Sequence, residues 1–338
     1  MKQGSLVVST GPHWHGGARI PRTYRAVLLA LVPATVAGIA RYGVDAAGVI
    51  GLAMGSAMAA EALWQKISRR PVTIADGSAA VTGLLLALLL PASIPAFMVV
   101  VASVLGIIIA KQCFGGLGAN PLSPALVGYA ILRITEPWAG YLDFDLMLVM
   151  YDVGFAKEYP EAVFKAWGAA GLQEFTNWDL FLGRQIGGIG SSQIALLLLG
   201  GLYLLARGVI SWRIPVGFLA AVAVVSGLLN ALDPEYYAGP VFNLITGNVM
   251  FGAFFLGTEH SSSPVSRWGM LLYGVGCGTL TVLFRAWSNY DDGVVFAVLL
   301  MSIFVPLLDR LRKHPTPPAA AVLLADGAAP ADTSEEGA

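Results

Sequence analysis

Apolar runs of membrane-crossing length constrain this chain more than any other feature. A helix needs about twenty mostly apolar residues to cross the roughly 30 Å hydrocarbon core of a bilayer. Ten segments approach that length, at about 25–43, 46–65, 78–94, 96–112, 122–135, 191–207, 214–232, 239–257, 268–286 and 293–309. The fifth is the weakest and reads as a tilted or broken helix. Only 12% of the 338 residues are charged, against about 25% in a soluble domain. The sequence therefore predicts an all-α, polytopic membrane protein. Its net charge of −1 gives no reason to expect a nucleic-acid partner.

The first twenty residues are polar, so no cleavable signal peptide is expected. Cytoplasmic loops of membrane proteins carry an excess of lysine and arginine. If both termini are cytoplasmic, fourteen of the twenty basic residues fall on that side, including Arg22, Arg69, Arg70, Lys111, Arg213 and Arg310. The chain then divides into a cytoplasmic segment (1–24), five spans (25–135), an outer loop (136–190), five more spans (191–313) and a Pro/Ala-rich tail (314–338) read as disordered. Two groups of five that start in opposite directions suit inverted-topology repeats. A weak echo supports the pairing: Thr82-Gly83 in the third span recurs as Thr246-Gly247 in the eighth, an offset of 164 residues.

Four stretches place polar or turn residues where a plain span would not. DGSAAVTG, Asp76 to Gly83, suits a helix start capped by Asp76 or Ser78; a free helix N-terminus there also suits an anion or a cofactor carbonyl. CFGGLGANPLSPA, Cys113 to Ala125, cannot be ordinary helix interior, and Gly115, Gly116 and Asn120 are its candidates for a binding or conduction role. FNLITGNVMFG, Phe242 to Gly252, carries the amides Asn243 and Asn248. These are costly in lipid, and read equally as flavin contacts, a hydrated path or interhelical glue. GTEHSSSPVS, Gly257 to Ser266, reads alone as a solvated turn.

Other chemistry is sparse. Cys113 and Cys277 read as packing residues. His13 and His15 form a pair without further ligands, so no metal is expected. Charges deep inside the spans are almost absent, which predicts no buried carboxylate relay. On these residues alone a secondary transporter or channel for a small neutral solute remains a second reading.

Several stretches resemble a known family. TGPHWHGG, DGSAAVTGLLLALLLP, FGGLGANPLSPALVGYAIL, LLLLGGLYLLARGVISWRIPVGF and GVVFAVLLMSIFVPLLDR, in order from about residue 10 to 313, are similar to the D subunit of the Rnf electron-transport complex. That family is related to the B subunit of the sodium-translocating NADH:quinone oxidoreductase. The resemblance implies ten spans in two inverted five-helix halves, similar to urea transporters. It also implies five other Rnf subunits as partners, in a bacterial inner-membrane complex that links ferredoxin and NAD to movement of Na+ or H+. Family members carry FMN joined through its phosphate to a threonine, in a Ser-Gly-Ala-Thr-like motif between spans five and six.

Here the chain departs from the pattern of the family it resembles. The loop from Glu136 to Gly190 holds one threonine, Thr176, preceded by QEF, and the nearby GAAG run has no hydroxyl. GGIGSSQ stands where GSIGET is usual, and GTEHSSSPVS where an ATDPVTSP-like stretch is usual. Covalent FMN on Thr176 is therefore not expected; a loosely held FMN, or riboflavin, is the remaining cofactor, and a flavin-free scaffold the alternative. The residues assigned to flavin or ion-path contacts are Asp76, Thr82, Gly115, Gly116, Asn120, Asn243, Thr246 and Asn248. Trp167, Phe175 and Trp178 are left as stacking or docking surfaces.

Overall fold

The computed structural model describes residues 20–135, 159–290 and 292–310, and every regular element among them is a helix. His13, His15, the first part of the outer loop and the tail lie outside the described residues.

The chain opens with α1, Ile20–Ile67, a run of 48 residues. At 1.5 Å per residue such a helix would be roughly 72 Å long, over twice the bilayer core. Gly43 resolves the excess, because its φ of 71° and ψ of −148° break the helix into two arms. Only glycine enters that region without a Cβ clash. The arms coincide with the first two apolar segments of the sequence.

Next come α2 (Ser78–Leu89), α3 (Ala96–Leu105, running on as a π-helix over Gly106–Gln112) and α4 (Pro124–Ile134). Two short helices, α5 (Pro160–Trp167) and α6 (Asn177–Phe181), belong to the loop. The second group comprises α7 (Ile194–Ala206), α8 (Arg213–Leu232), the pair α9 (Pro240–Ile245) and α10 (Val249–Phe251, continuing as a π-helix over Gly252–Leu256), α11 (Arg267–Trp287), α12 (Val294–Ile303) and α13 (Val305–Asp309). By length and composition α1, α8 and α11 can each cross a membrane, and the remaining apolar helices are shorter.

Outward faces carry Leu29, Val36, Leu63, Leu199, Leu228 and Ile303, each between 59% and 63% exposed. Scattered single apolar residues are normal on a soluble surface, but large apolar residues exposed on α1, α7, α8 and α12 alike suit a surface solvated by lipid. The protein is a helical membrane protein. Small residues let the helices approach closely: on α11, a Cβ at Gly274 would lie 2.5 Å from the Ile214 carbonyl oxygen of α8, and one at Gly278 would strike that of Phe218.

Two expectations about boundaries change. The third segment, read as 78–94, stops at Leu89, because Leu90 precedes Pro91 and takes an extended conformation. The segment read as a 136–190 loop is not all surface: its residues 185–190 are buried, and so are 191–193 ahead of α7. Ile189 donates to the Leu90 carbonyl at 3.0 Å, while Gly190 and Ser191 donate to that of Leu88 at 3.2 and 3.1 Å. The returning loop thus satisfies carbonyls that the end of α2 leaves free, which irregular backbone inside a bundle requires.

Helix ends gather at two places. Asn120 donates to Ser261 at 2.7 Å, and Ser266 N–H to Asp309 at 3.0 Å, at the end where α2 begins. Where α2 finishes, the returning loop receives Arg41 of α1 on the Gly183 carbonyl, and Arg133 of α4 lies 5.8 Å from the Tyr290 ring before α12.

Candidate functional site

The interruption between α9 and α10 organises one end of the bundle. Thr246 is extended and Gly247 has a φ of +59°, so the helix stops for three residues and leaves carbonyls without intrahelical donors. Arg285, from the last turn of α11, fills the gap: it donates at 3.0 Å to the Asn243 carbonyl and at 3.0 Å to that of Thr246. Its guanidinium also lies 3.0 Å from Glu161 of α5 and 3.3 Å from Asp292, which precedes α12. Asp292 in turn accepts from the Asn248 N–H at 2.7 Å and from Val294 N–H at 3.3 Å, capping α12. A Cβ on Gly247 would run into Glu161 and lie 2.9 Å from Asp292, so only glycine leaves room for these charges. All three charged side chains are at most 7% exposed.

Two carboxylates face one guanidinium there. Burial pushes the Glu161 carboxyl up to about 7, outweighing the opposing pull of Arg285, and the negative charge of Asp292 adds to the rise. Beside the cluster lies a cavity of about 320 Å³, walled by Phe164, Phe242, Tyr236 and Tyr237 and floored by Glu161, Asn243 and Arg285. That volume is at the lower end of the range, about 300–1,000 Å³, in which small-molecule sites fall.

A second buried cluster forms where α2 begins. The π turn at the end of α3 adds a residue to the helical turn and swings Lys111 inward. Its ammonium lies 2.8 Å from Glu61 of α1 and donates to the Ser78 hydroxyl at 2.6 Å. Gln112 and Gln65 donate to the same carboxylate at 3.1 and 3.2 Å. Asp76 accepts from the Ser78 N–H at 2.8 Å and from its hydroxyl at 2.7 Å, so it holds the first helical residue from outside, while Gly77 and neither Asp76 nor Ser78 stands at the N-cap. Thr82 is buried and bonds back to the Ser78 carbonyl at 3.0 Å.

A family model described as the NQR2, RnfD, RnfE family matches residues 7–316. The D subunit of the Na(+)-translocating ferredoxin:NAD(+) oxidoreductase complex of Acetobacterium woodii is 37% identical over 316 residues, spanning 93% of this chain and 96% of that protein. Its counterpart in the proton-translocating ferredoxin:NAD(+) oxidoreductase complex of Clostridium ljungdahlii is 34% identical, again over 93% and 96%. The D subunit of the ion-translocating oxidoreductase complex of Pectobacterium carotovorum is 34% identical over 90% of this chain and 97% of that protein. The chain belongs to the NQR2, RnfD, RnfE family.

For this family member the residues singled out from sequence fall into separate groups. Asn243, Thr246 and Asn248 share the Arg285 cluster, while Asp76 and Thr82 share the Lys111 cluster. Asn120 is buried and ties its loop to Ser261. Gly115 and Gly116 form a turn with φ of +112° and +103°; Gly115 accepts from Arg70 and joins neither cluster. Thr176 is exposed ahead of α6 and is absent from the cavity lining. Trp167 and Trp178 are exposed, whereas Phe175 packs against the cluster of Leu180, Phe242 and Ile245.

Several expectations need correction. Glu61, Lys111, Glu161, Arg285 and Asp292 are buried charges that the sequence pattern either places in solvent or passes over. Lys111, expected among the loop-facing lysines, is 2% exposed. GTEHSSSPVS is not a solvated turn: Thr258 and Ser262 are buried, and burial raises the Glu259 carboxyl against the pull of Ser123 and Lys111. Cys277 is buried as a packing residue, but Cys113 is exposed. A usable signal for Glu61 is present, since it stands within AMAAEALW, where an unpaired carboxylate is costly.

Proposed function

We propose that this chain is the D-type membrane subunit of an ion-translocating ferredoxin:NAD oxidoreductase complex in a bacterial inner membrane. It would work with five other Rnf subunits to couple electron transfer to movement of Na+ or H+. The observation that carries the reading is its match to subunits of that name along more than 90% of their length. Among the relatives, one is named for Na+ and another for H+, so family membership leaves the ion open.

The ten-span, two-repeat architecture belongs to the same proposal. It is supported by the recurrence of Thr82-Gly83 as Thr246-Gly247. The two charge clusters supply a second correspondence. Lys111 sits at the end of the fourth segment and Arg285 at the end of the ninth, each beside the start of its repeat's third segment. Buried charges of this kind mark ion pathways in membrane proteins more often than they mark stability.

The lining of the cavity beside Arg285 is what supports a flavin there. Phe164, Tyr236, Tyr237 and Phe242 offer aromatic walls, and Arg285, Lys165 and Asn243 also line the space. When bound, a flavin supplies the one-electron chemistry; the chain supplies an aromatic enclosure. The threonine linkage does not fit, because Thr176 is outside the lining and lacks the family's preceding residues. A non-covalent FMN or riboflavin would lie against Asn243 and Arg285, whose donors are already engaged by the Ala238, Gly239, Asn243 and Thr246 carbonyls and by Glu161 and Asp292. A flavin-free ion-path subunit is the second reading, favoured by that same missing linkage.

Reconstitution of the purified complex in liposomes tests the main proposal. Ferredoxin-dependent NAD reduction should drive ion accumulation and should fail in a complex lacking this chain. Unchanged coupling without it would refute the assignment. Flavin absorbance in the purified subunit separates the flavin-bound from the flavin-free version.

A further inference from the structure

The Arg285 end carries an asymmetry that the proposed function does not use. Asp292 is held by two backbone N–H groups, at 2.7 and 3.3 Å, as well as by the guanidinium. Glu161 has no comparable backbone support: its contact with Arg285 at 3.0 Å is shared with Asp292 and two carbonyls, and it is 4% exposed. One guanidinium therefore serves two buried carboxylates, and the less well-held one lines a cavity that reaches exposed Lys165 and Tyr236.

We infer that Glu161 is an exchangeable proton site, reached from solvent through this cavity. A hydronium gives its proton to a Glu161 carboxylate oxygen; one O–H bond forms, one breaks, and water is left. No electron moves, and the cluster passes from one net negative charge to none. Arg285 then retains Asp292 and the carbonyls of Asn243 and Thr246, so the helix break stays filled in both states. The inference deepens the ion-translocation reading and rests on it for its place in a coupled complex.

The groups facing Glu161 are consistent with this role. Arg285 comes from α11, Asp292 from the start of α12, the Thr246 hydroxyl from the break and the Tyr159 hydroxyl from just ahead of α5. Lys165, one turn further along α5, points its ammonium to the Ser288 and Tyr290 carbonyls instead. The upward displacement of the Glu161 carboxyl to about 7 follows from burial, and places exchange near neutral pH.

Infrared difference spectra of the intact complex, with carbon-13-labelled glutamate, test the site between about pH 6 and pH 8, the range where a group titrating near neutrality changes charge. A protonated glutamate band should titrate in that window and vanish in Glu161→Gln. If Glu161→Gln fails to assemble, Glu161→Asp supplies the second test, because its labelled aspartate band should replace the glutamate band. A neutral-range glutamate band that survives either substitution, or its absence from the wild-type complex, would overturn the inference. Ferredoxin–NAD activity and ion transport are read separately, so failure of the proton site leaves the assignment of the complex intact.

Discussion

The two Thr-Gly segments begin from similar sequence and end in different structures. Both threonines bond back to the carbonyl four residues earlier, at 3.0 Å for Thr82 and 2.8 Å for Thr246. Helix α2 nevertheless runs unbroken through Gly83, which packs so closely that a Cβ would lie 2.6 Å from the Ala53 carbonyl oxygen. Gly247 instead takes a positive φ and opens the chain. What differs is the nearby cation. Lys111 spends its donors on Glu61 and the Ser78 hydroxyl, leaving the backbone of α2 to itself. Arg285 spends its donors on freed carbonyls, which lets the helix break inside the protein at little cost. The planar, five-donor guanidinium can serve carbonyls and carboxylates together, and a point-charge ammonium cannot do so in the same geometry.

The largest expected effect sharpens the first half of this contrast. Lys111→Met leaves Glu61 buried without its cation, and should cost about 3–5 kcal/mol, the usual penalty for breaking a buried pair. Thermal unfolding of the purified complex reads it. Adding Glu61→Gln should recover much of the loss; no recovery would mean that Lys111 acts through packing and not through charge.

Gly247→Ala attacks the broken segment. A positive φ costs roughly 1–2 kcal/mol outside glycine, and the new methyl meets Glu161, Arg285 and Asp292 besides. Together these should destabilise by about 2–4 kcal/mol, given a typical overpacking penalty of about 1–3 kcal/mol. An alanine variant as stable as the wild type would show that the break relaxes freely, and the comparison with α2 would lose its basis.

Acidity provides a third lever. The Glu161 carboxyl is raised in the folded state from an ordinary value of 4.5 to about 7, so the folded protein binds its proton more tightly than the unfolded chain. Stability from this group is present at low pH and falls as pH rises from about 4.5 to about 7, by up to about 3 kcal/mol in total. Glu161→Gln should remove that decline, seen as a flatter dependence of the melting temperature between about pH 5 and pH 8. A wild-type decline undiminished in Glu161→Gln would assign it to other groups.

The smallest effect is expected at Thr176. Thr176→Ala should shift stability by less than about 0.5 kcal/mol, as for an exposed residue away from special features. The denatured subunit should show no ultraviolet-excited flavin fluorescence with or without it. A fluorescent band lost on substitution would restore the covalent flavin to this loop.

Much of the fold was legible in the residues themselves. Apolar run length located the helices and Asp76 announced the start of α2, because these features act on their own segment or its near neighbours, whereas the stop before Pro91 was read through. Family resemblance likewise came from contiguous motifs. The Thr246–Asn248 region was singled out correctly as unusual, since glycine and asparagine in an apolar run are visible one residue at a time.

The sequence by itself therefore determined that the chain is an all-helical membrane protein of this family, and roughly where its helices lie. Only the tertiary structure decided which charges are buried and with whom. Glu61 and Lys111 are fifty residues apart and Glu161 and Arg285 are 124 apart, distances over which no local pattern acts. A lysine at a helix end looks the same in sequence whether it meets water or a buried carboxylate. Desolvation and Coulomb attraction choose between those outcomes only when the remote partner arrives.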